Sequence, residues 1–224
     1  MIPIVLSTIT ARYSHTAFGL RYLYANLGKW KDFACIKEFH LKQTPLMIAE
    51  SILQEEPQII GLSVYIWNVK EITEVVQIIK AVSPQTILIL GGPEVSYEYE
   101  DMLIFHKADY LVRCEGEQVF PKLVDELMNG ILPQQKVWEE SIHDLNSLIL
   151  PYDEYTDEDI KHRIIYVESS RGCPFHCEFC LSAVQPGVRF FERQPFLKEM
   201  EKLIQRGTKN FTFVDRTFNI NEEH

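Results

Sequence analysis

Ile59-Ile60-Gly61-Leu62-Ser63-Val64-Tyr65 is apolar at nearly every consecutive position. Both of its faces are therefore suited to burial, which is what a central strand needs in a parallel sheet covered by helices on each side. Just beyond it the period changes. Val69, Ile72, Val75, Val76 and Ile79 recur at helical spacing, with Asn68 at the N-cap position and Glu71 where a reciprocal capping box requires it. A doubly buried strand followed by an amphipathic helix is one βα unit, and it sets the expectation for the residues on either side.

Upstream, Ile2 to Ile9 reads as a first strand and Ala17 to Leu27 as its helix, with Ala17, Leu20, Tyr24 and Leu27 on one face. Phe33 to Phe39 reads as an edge strand. It is followed by a helix from Pro45 to Glu55, since proline is tolerated in a first turn. Downstream, Thr86 to Leu90 is a strand ending in Gly91-Gly92-Pro93. Tyr110 to Val112 is another, and Glu115-Gly116-Glu117 then leads into a helix that runs to Met128 and stops at Gly130. The pattern predicts an α/β domain over residues 1–135, a Rossmann-like (flavodoxin-like) five-stranded parallel sheet.

Residues 136–162 read as a linker with one short strand around Lys136 to Trp138, then Pro151 and the acidic set Asp153, Glu154, Asp157, Glu158 and Asp159. A second unit, 163–224, offers a strand to about Glu168, a cysteine-rich loop, a helix from Pro195 to Gln205 and a strand Phe211 to Val214 ending at Asp215. Two strands and one helix are too few for an independent core, so the chain is expected to stop inside its second domain.

The composition narrows the class. At 224 residues and 46% hydrophobic content there is ample material for buried cores. A formal net charge of -10 argues against a broad nucleic-acid surface. No apolar run approaches the roughly 20 residues of a membrane span. Five cysteines without a signal sequence suit a reducing cytoplasm better than a disulfide scaffold.

In an open parallel sheet, ligands bind beyond the carboxyl ends of the strands at a switch in strand order. The residues expected there are His15 after the first strand, Ser63, Tyr65 and Trp67 after the third, Gly91 and Gly92 after the fourth, and Glu115 and Gly116 after the fifth. Phosphate-binding glycine fingerprints are absent. A receiver domain needs carboxylates where Ser7, Thr8 and Ser63 stand. Plain structural uses remain open for several of these residues: Gly91-Gly92 as an ordinary turn, Glu115 and Glu117 as a helix start, Tyr65 and Trp67 as core, Cys35 and Cys114 as buried small side chains.

The chemistry of the second unit rests on Cys173, Cys177 and Cys180, three thiols within eight residues at C-x3-C-x2-C spacing. A structural zinc site takes four protein ligands, and so does an ordinary ferredoxin cluster. Three thiolates leave one metal corner open, as a catalytic iron-sulfur cluster requires. Zinc with His176 or a distant histidine as fourth ligand is the alternative, and would make the chain a noncatalytic Rossmann-like binding module.

The cysteine spacing, with Phe179 in the aromatic slot of C-x3-C-x-aromatic-C, resembles the signature of radical S-adenosylmethionine (SAM) enzymes. The first domain resembles the cobalamin-binding domain, whose motifs are D-x-H-x-x-G, S-x-L and G-G. Here Ser63-Val64-Tyr65 stands for the second and Gly91-Gly92 for the third. The first departs from the pattern: His15 sits in the right loop, but Tyr13 replaces the aspartate and Gly19 falls one place late. Together these features resemble cobalamin-binding-domain radical SAM proteins.

The resemblance implies that the second unit is the start of a partial TIM barrel and that Cys173, Cys177 and Cys180 hold three irons of a [4Fe-4S] cluster. SAM would chelate the fourth iron, with Phe179 at its adenine and Asp215, backed by Arg216 or Asn219, toward its methionine end. His15, Ser63, Tyr65, Gly91, Gly92, Glu115 and Gly116 would line the cobalamin site. One electron from a donor such as flavodoxin or ferredoxin would cleave SAM to a 5'-deoxyadenosyl radical. The implied outcome is methylation or rearrangement of an unidentified substrate, held by a barrel this chain does not finish, so the chain alone is expected to be inactive.

Overall fold

Ile4–Thr10 forms β1, buried along its whole length. It pairs in parallel with β2 (Ala34–His40) on one side and β3 (Ile59–Ser63) on the other. Beyond β3 follow β4 (Ile87–Gly91), β5 (Tyr110–Val112) and β6 (Val137–Trp138), giving the order β2-β1-β3-β4-β5-β6. The result is a six-stranded, all-parallel, Rossmann-like sheet. These are features of a computed structural model, which describes residues 2–180, 187–218 and 220.

The five-strand expectation falls one short. Val137 and Trp138, assigned to the linker, extend the sheet, because the Leu111 and Arg113 N–H groups donate to the Lys136 and Trp138 carbonyls at 2.9 Å each. The short strand expected around Lys136 to Trp138 is thus present, but as the sixth strand of this sheet rather than as part of a linker.

Helices cover both faces of the sheet. On one side α2 (Pro45–Leu53) and α3 (Val69–Val82) bury Ile48, Ile52, Ile72, Val76 and Ile79 against Val5, Ile60, Leu62 and Leu88, with Ile104 of α4 (Leu103–Lys107) beside them. On the other side α1 (Phe18–Ala25) and α5 (Val119–Met128) bury Leu20, Phe120, Leu123 and Val124 against Ile4, Leu6 and Ile59. Each such side chain stabilises the fold by about 1.5–3 kcal/mol. Gly61 lets this second layer approach. A Cβ there would lie 2.9 Å from Leu6 Cδ2 and 3.2 Å from Phe120 Cζ, so the ring of α5 rests directly on the backbone of β3.

The chain divides into two compact units, Met1–Ser141 and Ile142–His224. After two short 3-10 turns, Leu145–Ser147 and Pro151–Glu154, the second forms α6 (Asp157–His162), which lies within the stretch expected to be a linker. Its signal is a cap rather than a stripe: Thr156 accepts from the Asp159 N–H while the Asp159 carboxylate accepts from the Thr156 N–H. Next, β7 (Ile165–Val167) pairs in parallel with β10 (Phe211–Phe213), and α7 (Arg193–Gln205) lies between them in sequence with Phe196, Met200 and Leu203 buried.

The other edge of β7 is closed by two buried phenols. Tyr155 Oη donates to the Tyr166 carbonyl at 2.7 Å and accepts the Tyr166 N–H at 3.0 Å. Tyr152 does the same for Glu168, at 3.1 and 3.2 Å. These hydroxyls replace a neighbouring strand, each serving as donor and acceptor at once. Finally, β8 (Ser170–Cys173) and β9 (Gly187–Phe190) make an antiparallel ribbon, so Cys173 stands on a strand. Among the described residues no helix is long and apolar enough to cross a membrane.

Candidate functional site

Strand order reverses beside β1: the chain passes from β1 outward to β2, then returns to β3 on the far side of β1. The crevice at the carboxyl ends of β1 and β3 is therefore the expected ligand edge. Asn68 organises its floor. The residue stands at the N-cap position of α3 but makes no capping bond from its side chain, which corrects the expected capping box. Its amide is wholly buried and turned to the strands instead. Nδ2 donates to the Ile9 carbonyl at 2.9 Å, Thr8 Oγ1 at 3.2 Å and the Ser63 carbonyl at 3.3 Å, and Oδ1 accepts the Tyr65 N–H at 2.8 Å. Thr8 adds a bond from its own hydroxyl to the Ser63 carbonyl at 2.8 Å.

Above this latch Tyr65 and Trp67 stack, with ring centroids 4.4 Å apart and planes at 9°. The Trp67 indole N–H donates to the Ile9 carbonyl at 3.2 Å, while the ring is 44% exposed. Burial pushes the Tyr65 phenol up from its ordinary value. The shelf is thus fixed to both strands and open on one side. Gly19, exposed near the start of α1, has the Tyr65 hydroxyl as its nearest neighbour, 3.9 Å from where a Cβ would stand. Even an alanine here would only touch that hydroxyl, so the N-terminal end of α1 packs closely beside the Tyr65 ring. His15 is half-buried in the loop before α1, its N–H donating to the Arg12 carbonyl at 3.1 Å.

The glycine pair serves the protein's own packing. Gly92 has φ +103°, and a Cβ there would lie 2.5 Å from the Val64 carbonyl oxygen and 3.2 Å from Ser63 Oγ. Its smallness lets the end of β4 fold against the end of β3. Gly91 is less constrained, with the Val112 carbonyl 3.4 Å from a Cβ position. Gly116, between β5 and α5, would place a Cβ 3.1 Å from Leu23 Cδ2, and its carbonyl accepts the Phe120 N–H at 2.8 Å. Glu115 beside it is half-buried.

Sequence reasoning gave no role to the polar cluster next to this edge. Cys114 takes φ +58°, its N–H bonded to Ser96 Oγ at 3.0 Å, and Ser96 Oγ donates to the Gly92 carbonyl at 2.9 Å. Arg113 bonds the Ser96 carbonyl at 2.7 Å, pairs with Glu139 at 3.1 Å and lies over the rings of Tyr97 and Tyr99. Burial first, then the bond to the Cys114 sulfur, pushes the Tyr97 phenol up to about 12. Arg113, directly after β5, and Ser96, four residues after Gly92, were the available signal.

In the second unit all three motif cysteines are free thiols. Cys173 is half-buried with Sγ 3.4 Å from Thr217 Oγ1. Cys177 and Cys180 are exposed on a turn in which the Cys180 N–H donates to the Cys177 carbonyl at 3.0 Å. Among the described residues no three His, Cys, Asp or Glu side chains are gathered closely enough to hold a metal ion. As donors the three soft thiols suit iron-sulfur ligation. The loop's two aromatic rings, Phe175 and Phe179, face outward among the described residues. They are 60% and 96% exposed.

The Asp215 carboxylate accepts from the Ser169 N–H at 3.1 Å, the Ser169 hydroxyl at 2.8 Å and the Ser170 hydroxyl at 2.6 Å. Glu168 and Arg171 form a fork, with Arg171 Nη2 2.7 Å from Glu168 Oε1. Asn219 lies outside the described residues.

Residues 4–124 match the B12 binding domain model. The chain belongs to the B12-binding domain family. The chain is 29% identical to an uncharacterized methyltransferase of Pyrococcus horikoshii over 92% of this chain and 50% of the relative. It is 28% identical to the anaerobic magnesium-protoporphyrin IX monomethyl ester cyclase of Rubrivivax gelatinosus, over 70% of this chain and 33% of the relative. It is 24% identical to the cobalamin-dependent radical SAM methyltransferase TokK of Streptomyces tokunonensis, over 74% and 28%. The chain thus spans half or less of the length of these relatives.

Proposed function

We propose that this chain is the cobalamin-binding and cluster-binding portion of a radical SAM enzyme that methylates or rearranges its substrate. Its cofactors are cobalamin, a [4Fe-4S] cluster and SAM. Its partners are an unidentified substrate and a one-electron donor of the flavodoxin or ferredoxin kind, in a reducing cytoplasm. The observation that carries the reading is one of order: a B12-binding domain is followed in the same chain by three free cysteines at C-x3-C-x2-C spacing. The similarity to the Pyrococcus methyltransferase covers 92% of the chain and so takes in the cysteine unit as well as the B12-binding domain. The parallel pair β7 and β10, joined through α7, agrees with the first strands of a barrel.

When bound, the cofactors supply one-electron cleavage of SAM and a carrier for the transferred group. The chain's residues supply position. Cys173, Cys177 and Cys180 hold three irons through their thiolates, and Phe179 is the ring for the adenine. Gly172, at φ +98°, shapes the strand before the loop. At the sheet edge the stacked Tyr65–Trp67 pair, with its exposed indole, and the loop of His15 would face the cobalamin. Asp215 orders Ser169 and Ser170 chiefly through Oδ1, which leaves acceptor capacity on Oδ2 for the methionine end of SAM.

Anaerobic reconstitution tests the reading. About four irons and four sulfides per chain, lost in Cys177→Ala, support it; stoichiometric zinc in place of iron makes the chain a binding module instead. Equilibrium dialysis with hydroxocobalamin tests the first unit separately, and no retention of the corrinoid would overturn its assignment.

A further inference from the structure

Just past the end of β10 the chain reaches the strand that carries the first cysteine. Asp215 binds both the backbone and hydroxyl of Ser169 and the hydroxyl of Ser170. Ser170 opens β8 and Cys173 closes it, so this carboxylate pins the strand ending in the first thiol. Gly172 fixes it from the other side. A Cβ there would lie 2.0 Å from the Gly187 carbonyl oxygen, so β8 and β9 touch more closely than any other residue allows. Held in this way, Cys173 Sγ lies 3.4 Å from the hydroxyl of Thr217, two residues beyond Asp215.

If Cys173 ligates iron, as proposed above, its sulfur is a thiolate with no proton to give, and the threonine hydroxyl is the donor. We infer that Thr217 donates a hydrogen bond to the Cys173 sulfur and so raises the reduction potential of the cluster, with Asp215 as the positioning residue. This rests on the cluster reading. Reduction adds one electron, from the external donor in the cell or from dithionite in the test, and transfers no proton. Thr217 keeps its hydrogen. The added electron makes the ligating sulfurs more negative, and a hydrogen bond to one of them stabilises the reduced form more than the oxidised form. With the donor gone, reduction of the cluster becomes harder.

The test uses the full chain, reconstituted anaerobically and titrated with dithionite while the reduced cluster is followed by electron paramagnetic resonance. Thr217→Val keeps the side-chain shape and removes the donor, and Thr217→Ala is a second donor-free variant should valine disturb folding. Thr217→Ser keeps the hydroxyl. The donor-free variants are expected to bind iron and sulfide as the unsubstituted chain does, with a more negative midpoint potential, and serine is expected to return the potential toward the original. Asp215→Asn, which loosens the clamp without removing the hydroxyl, is expected to give a smaller shift in the same direction. Equal potentials in the threonine, valine, alanine and serine proteins overturn the inference and leave the cluster reading standing. An unsubstituted chain that takes up no iron and sulfide overturns both.

Discussion

At the carboxyl edge of the first unit's sheet, Asn68, Thr8 and Trp67 bind the ends of β1 and β3 to each other, and Gly92 lies against Val64 with no room for a methyl group. In the second unit's cysteine loop, Phe175, Cys177, Phe179 and Cys180 all stand exposed. The contrast separates two ways of making a binding site. One is ordered by the hydrophobic and polar interactions of folding itself, so a ligand meets a prepared surface. The other supplies ligands whose gathering is coupled to metal binding, so that the binding free energy also orders the loop.

The contrast can be broken most directly at Gly92. Gly92→Ala forces a side chain into φ +103° and toward the Val64 carbonyl, and is expected to destabilise the protein by about 3 kcal/mol or more. Urea unfolding measures it, and an unchanged midpoint would mean the edge is softer than described. Asn68→Ala removes four bonds and leaves the Tyr65 N–H unpaired. It is expected to cost about 2–3 kcal/mol.

A smaller effect is expected with pH. The Tyr97 phenol is raised from 10.0 to about 12, so the folded state holds this proton more tightly than the unfolded chain. Its contribution is whole below pH 10 and is lost as pH rises toward 12; Tyr97→Phe should flatten that part of the stability curve. The smallest effect belongs to the cysteine loop. Cys177→Ala in metal-free protein should change stability by no more than about 0.5 kcal/mol. A loss comparable to that of Asn68→Ala would show that the loop is as preformed as the sheet edge.

The strands buried on both faces could be read from sequence because burial itself writes their pattern: Ile59–Leu62 and Ile4–Leu6 are unbroken apolar runs where helices cover them. What escaped has a different cause. The short strand at Val137–Trp138 was expected, but its place in the sheet is set by its partner β5, and β8 and β9 hold each other through backbone at Gly172 and Gly187. Asn68 was placed correctly at the start of α3 but assigned the wrong bond, since a cap and a latch use the same side chain and only burial between β1 and β3 distinguishes them. Asp215 was recognised as a strand-end carboxylate, whereas its hydrogen bonds to Ser169 and Ser170 depend on a turn 45 residues earlier in the chain. Thr217 carried no signal, because a hydroxyl matters there only through its distance from Cys173.

The short strand β6 has a practical consequence. A polypeptide ended at residue 135, before Lys136, would strip the Leu111 and Arg113 N–H groups of their acceptors and leave apolar Tyr110–Val112 as a bare sheet border. Such borders recruit strands from other molecules and seed aggregation. A polypeptide ended at Ser141 keeps that border covered, so two cuts a few residues apart should differ sharply in solubility.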